Sequence, residues 1–177
     1  METLFASAPD FDQPLAVLKH CHDKIRKQLA TLGKLPAHLA AHGADEEAQQ
    51  AANAVRRYFN QAAPLHHEDE EMDLLPMLEI TATNEDAALL AELMPAILKE
   101  HTQMHVIWHR LDKQLDAIAA ATSKDLAADD VTQFCEMYTQ HMQTEETHIA
   151  PMAKRLFSDA QMGRLGSAMQ QRRGISA

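Results

Sequence analysis

Residues 66–76 read HHEDEEMDLLP, and residues 141–151 read HMQTEETHIAP. They align without a gap. His66, Glu70, Glu71 and Pro76 recur as His141, Glu145, Glu146 and Pro151, and Phe59 recurs upstream as Phe134, at a constant offset of 75 residues. In each copy a histidine and a glutamate stand four apart. Residues so spaced on an α-helix project from nearly the same face, about one turn apart. Each copy also follows a helical segment with a histidine on its apolar stripe, His22 before the first and His101 before the second. The chain therefore reads as two helical hairpins, each carrying His … His-x3-Glu, set face to face about a pseudo-twofold axis.

The surrounding sequence supports long helices. Ala, Leu, Met, Gln and Glu are common, aromatics are 5%, and Gly is scarce, which favours helix because these side chains lose little rotamer freedom there. A first helix is expected over about 13–41, with Leu18, His22, Ile25, Leu29 and Leu32 on one stripe. Pro36 should bend or shorten its last turns, and His42-Gly43 should stop it. The second carries Val55, Phe59, Ala62, His66 and Glu70 to about Leu78, with a kink at Pro64. After a break at 81–84, where Asn84 is a candidate cap, the third shows Leu90, Met94, Ile97, His101, Met104, Trp108, Leu111, Leu115 and Ile118. The fourth carries Val131, Phe134, Tyr138, His141, Glu145, His148 and Met152, and a short fifth helix is expected at about 159–171. The expected fold is all-α: an up-down-up-down four-helix bundle over residues 13–157, an N-terminal arm at 1–12, and a short C-terminal helix with a basic tail at 158–177.

The formal net charge of −10 argues against a nucleic-acid partner, whose phosphates would be repelled. No apolar run approaches the roughly 18 residues of a membrane span, and METLFASAPDFDQ at the start has neither the basic nor the apolar region of a signal peptide. Cys21 and Cys135 are the only cysteines, too few for a disulfide framework or a four-thiolate metal site, so a reducing cytoplasm is expected.

The 11 histidines are what an acidic helical chain does not need for folding. His66 and Glu70 share a face, as do His101 and His105, and His141 and Glu145, while His22 lies on the first helix's stripe. An unpaired carboxylate facing a core costs several kcal/mol or is neutralised by a raised pKa. Two glutamates among several imidazoles would repeat that cost in one small volume, and a pair of divalent cations removes it. Imidazole suits iron, zinc and copper, and a carboxylate can bridge two ions about 3.5–4 Å apart. The candidate ligands are His22, His66, Glu70, His101, His105, His141 and Glu145; spacing alone accepts manganese or zinc as readily as iron. Glu71 and Glu146, beside the ligands, fit groups that orient an imidazole. His20, His38, His67, His109 and His148 read as ordinary residues on helix flanks.

With KHCHDKI around His22, KEHTQMH around His101 and the two quoted stretches, the chain resembles the hemerythrins and the wider HHE cation-binding domains over about residues 13–157. The resemblance implies a non-haem di-iron centre, oxo- or hydroxo-bridged, that takes a small diatomic ligand at one iron. It also suggests that part of the stripe of Met104, Trp108, Phe134 and Tyr138 walls the pocket over that position. Oxygen-carrying members close the site on the fourth helix with His-x4-Asp, whereas His141-x3-Glu145 here matches the branch linked to oxygen or iron sensing, nitrosative stress and iron–sulfur repair. In the repair branch a histidine placed like His42 is a ligand, so His42 stands as the alternative to His105. The resemblance leaves three functions open: a protein that binds or senses oxygen, nitric oxide or iron; an enzyme acting on peroxide or nitric oxide, or donating iron for cluster repair; or a bundle merely stabilised by metal.

Overall fold

The computed structural model describes residues 10–175, and residues 1–9 of the N-terminal arm expected at 1–12 lie outside them. Among the described residues there are helices and no strands. Helix α1 spans Pro14–His42, α2 runs over 46–81, α3 spans Asn84–Ala119, α4 runs over 128–156 and α5 spans Asp159–Arg172. Proline begins α1, where its missing N–H costs nothing. Helix α1 continues through Pro36 to His42, so that proline does not shorten it, and Gly43 at φ 71° supplies the left-handed stop. Asp45 caps α2 by accepting from the Ala48 N–H at 2.9 Å, and Ser158 with Gln161 forms a capping box on α5. Thr83, not Asn84, occupies the N-cap position of α3; Asn84 is the first helical residue, with φ 51°.

Helix α2 contains two π turns, at Tyr58–Ala62 and Glu70–Leu74, and α4 contains one at Glu145–Ile149. Each closes with a bond from residue i to the carbonyl of i−5: Ala63 to Tyr58, Leu75 to Glu70, Ala150 to Glu145. The next residue each time is a proline: Pro64, Pro76 or Pro151. A proline ring pushes aside the carbonyl four residues back and offers no N–H, so the preceding turn widens. Two of the three turns begin at Glu70 and Glu145, the repeated glutamates. In α4 the widened turn leaves His148 exposed and Ile149 in the core, contrary to the expected stripe.

The helices bury two apolar layers. One is built from Ile25, Leu32, Val55, Phe59, Leu111 and Phe134 with their neighbours, the other from Val17, Leu75, Leu78, Ile97, Ile149 and Met152 with theirs. Along α1 the second layer comes first and the first layer comes after it; α2 reverses that order, α3 restores it and α4 reverses it again. His22, His66, His101 and His141 fall at or beside the change from one layer to the other on each helix. Helix α5 packs on α1 and α2, where Gly166 lies so close to Phe11 that a Cβ would collide with its carbonyl oxygen.

Candidate metal centre

Six polar side chains fill the plane between the apolar layers, and all are buried: His22, His66, Glu70, His101, His141 and Glu145. Glu70 reaches both ways. Its Oε1 lies 3.1 Å from His66 Nε2 and its Oε2 3.4 Å from His101 Nε2. Glu145 does the same, with Oε2 3.2 Å from His22 Nε2 and Oε1 3.3 Å from His141 Nε2. Two groups of four result, His22–His66–Glu70–Glu145 and Glu70–His101–His141–Glu145, in which each residue offers one ligand atom and all lie within 4.8 Å of one another. The two glutamates belong to both.

Outer carboxylates fix the imidazoles. Nδ1 of His22 is 2.9 Å from Glu146, which Arg26 holds in turn at 2.8 Å; Nδ1 of His101 is 2.6 Å from Glu71; Nδ1 of His141 is 2.8 Å from Glu100. These bonds leave each Nε2 to face the centre, which is how protein carboxylates orient metal-binding histidines. His66 is the exception, because its Nδ1 has no partner. The residue related to Glu100 by the 79-residue offset between His22 and His101 is Cys21, which carries no carboxylate.

Four atoms that face the centre, His22 Nε2, Glu70 Oε2 and both carboxylate oxygens of Glu145, are buried without a hydrogen-bond partner. Leaving one such group unsatisfied costs about 1–3 kcal/mol, and more when it is charged. Four of them in one plane are a heavy burden for a domain of ordinary stability. The donor set of imidazole nitrogen and carboxylate oxygen fits cations of the iron, zinc and manganese class. Cations at this place would satisfy every one of these atoms.

The model of the hemerythrin HHE cation-binding domain family matches residues 13–153. The chain belongs to that family. It is also similar to an uncharacterized protein of Haemophilus influenzae, 28% identical over 165 residues that span 93% of this chain and 92% of that one.

Burial and mutual charge shift the titration of the buried groups of this HHE domain. Burial pushes the Glu70 carboxyl well above its usual range, with the Glu145 charge adding to it. Burial alone would raise Glu145 too, but His141, His22 and His66 reverse that and keep it ionised. Burial lowers His141, yet Glu145, the bond to Glu100 and the Glu70 charge outweigh it and raise the imidazole to about 10. His22 is raised against its burial by Glu145, Glu70 and Glu146. His66 and His101 are lowered, first by burial and then by their cationic neighbours.

His105 is not brought into this plane. It is exposed, and neither group of four includes it. The buried residues of α3 run Ile97, His101, Met104, Trp108, Leu111, alternating four and three, so the inward place after His101 goes to Met104. His42 is exposed at the far end of α1, 20 residues from His22, or about 30 Å along the helix. His67, read as a flank residue, instead lies against the centre: its ring stacks on His101 with centroids 3.9 Å apart and planes at 12°, and it forms a third close group with His101 and His141. Glu100 also went unread in the sequence. Its only signal was adjacency to His101.

The wall expected from Met104, Trp108 and Tyr138 encloses only a cavity of about 70 Å³, on the His67 side, and Phe134 does not line it. A larger cleft of about 550 Å³ lies on the opposite side, between α1 and α4. Leu15, Leu18, Leu74 and Ile149 line it, with His22 and Glu145 among its polar groups. Among the described residues no helix is long and apolar enough to cross a membrane.

Proposed function

We propose that this HHE domain holds two iron ions side by side and through them binds or senses a small diatomic ligand, oxygen or nitric oxide. Glu70 and Glu145 would each give one oxygen to either ion, with His22 and His66 on one side and His101 and His141 on the other. The observation that carries this reading is the straddling of both carboxylates, whose two oxygens lie 3.1–3.4 Å from imidazoles on opposite sides. Bound iron would supply the change of oxidation state that makes such a ligand adhere reversibly. The protein's own part is to orient the imidazoles through Glu71, Glu100 and Glu146, to keep water out with the two apolar layers, and to admit the ligand through the cleft between α1 and α4. The alternating order of the layers along successive helices supports an up-down-up-down four-helix bundle over 13–157, with 158–177 as an appended helix and tail. Two unpaired thiols, Cys21 and Cys135, fit a cytoplasmic setting.

Iron analysis and absorption spectra of anaerobically purified protein test this. Two irons per chain, with bands that change on oxygen or nitric oxide and return on degassing, are expected. A protein loaded with two irons whose spectrum ignores both gases would sink the ligand assignment.

A further inference from the structure

We propose that His67 supplies the third imidazole to the ion held by His101 and His141, and that His105 supplies none; this rests on the two-ion reading above. His67, His101 and His141 each present a nitrogen within 4.8 Å of the others, as closely gathered as the ligand atoms of the two groups of four. The His67 ring is stacked on His101 at 3.9 Å, and the Tyr138 hydroxyl is 3.4 Å from His67 Nε2, with the two rings nearly parallel and their centroids 5.8 Å apart. Both neighbours restrain the ring. His105 is exposed and lines the small cavity that His67 also lines.

The backbone explains why two consecutive histidines both serve. Adjacent helical side chains diverge by about 100°, and each π turn adds a residue that rotates the next stretch of helix by a similar amount. The segment Ala63–Asp69 lies between two such turns, at Tyr58–Ala62 and Glu70–Leu74. That register leaves His66 on one side of Glu70 and His67 on the other, toward His101. The second hairpin cannot copy this. It has a single π turn, and the position equivalent to His67 is Met142, fully buried in the apolar layer. The duplicated site is therefore asymmetric, with three imidazoles on the α3/α4 side and two, His22 and His66, on the side facing the larger cleft.

The test compares His67→Ala, His67→Gln and His105→Ala with the parent protein. Each is stripped of metal and titrated with cobalt(II), read by visible absorption, and with iron(II), read by metal analysis after desalting. Expected is at least a tenfold weaker second ion and a changed cobalt spectrum for both His67 variants, no change for His105→Ala, and recovery when imidazole is added to His67→Ala. Melting of the stripped proteins shows whether a variant folds, and the glutamine variant keeps the comparison open if the alanine variant does not. Two ions bound with parental affinity and spectrum in a folded His67 variant would overturn the proposal alone, as would loss of the second ion in His105→Ala. A parent chain that takes up fewer than two ions would overturn the two-ion reading together with it.

Discussion

Nε2 of His101 and Nε2 of His141 lie 2.9 Å apart, although the two residues sit on different helices and 40 positions apart in the chain. His101 is held below its ordinary pKa by burial and by the cationic His141 beside it, so its Nε2 accepts a charge-assisted hydrogen bond from the His141 imidazolium. Both nitrogens aim at the same interior point, which Glu70 and Glu145 also address.

Glu70→Gln separates folding from metal binding. Burial and the Glu145 charge push the Glu70 carboxyl well above its usual range, so in metal-free protein an amide of the same shape should change stability by no more than about 1 kcal/mol. Loaded protein behaves differently, because glutamine cannot give an anionic oxygen to two cations. The pair of ions, and the rise in melting temperature they confer, should be lost. Thermal melts with and without metal, beside metal analysis, check this; a stripped Glu70→Gln protein that fails to fold would contradict it.

Metal uptake should release protons. His141 titrates at about 10, so at neutral pH its imidazole is protonated in the metal-free chain and must deprotonate to bind a cation. Apparent affinity is expected to rise with pH from 7 toward 10 and then level off. Stability of the stripped protein moves the other way. Since the folded pKa is raised above the ordinary histidine value, the contribution of His141 is complete below about 6.5 and disappears as pH climbs through about 10. Calorimetric titrations in buffers of different ionisation enthalpy, with melts across the same range, would reveal both trends or their absence.

Glu100→Ala tests an orienting carboxylate. Its Oε2 accepts from His141 Nδ1 at 2.8 Å and touches none of the other central imidazoles. Removing such a partner typically weakens metal binding 10–100-fold. The loss should fall on the ion beside His141 and leave the ion beside His22 and His66 in place, so loaded samples should approach one tight ion per chain. An unchanged stoichiometry and affinity would mean that Glu146 and Glu71 suffice.

The C-terminal helix is tied to the centre through Asp69. That carboxylate is wholly buried, directly precedes Glu70, and accepts from Arg172 and from Arg173, the latter at 2.6 Å, while Arg172 also reaches Asp73 at 2.5 Å. Taking away the cations of a buried pair typically costs about 3–5 kcal/mol, because a lone charge stays behind. The double variant Arg172→Ala/Arg173→Ala should lose stability of that order in urea, and adding Asp69→Asn should recover part of it. Equal loss with and without Asp69→Asn would point to packing of α5 rather than charge.

The basic RR pair shows where reading by periodicity ends. As sequence it is a tail; in the fold it neutralises a carboxylate more than 100 residues away. His105 shows the reverse case, a residue at ligand spacing that the fold leaves exposed. Four residues after His101 is the right spacing for a shared face, yet the apolar stripe Ile97, His101, Met104, Trp108 already assigned the next inward place to Met104.

What the sequence settled by itself is local and periodic. A helix repeats every 3.6 residues, so Leu18, His22 and Ile25, or His141 and Glu145, must share a face wherever the helix is placed, and a 75-residue repeat of His-x3-Glu must offer similar donors twice. Tertiary structure alone brought His67 against His101 while leaving His105 exposed, placed Glu100 behind His141 and seated Asp69 under two arginines. Those outcomes depend on π turns that shift the register within α2 and on distances between helices, and neither leaves a period in the chain.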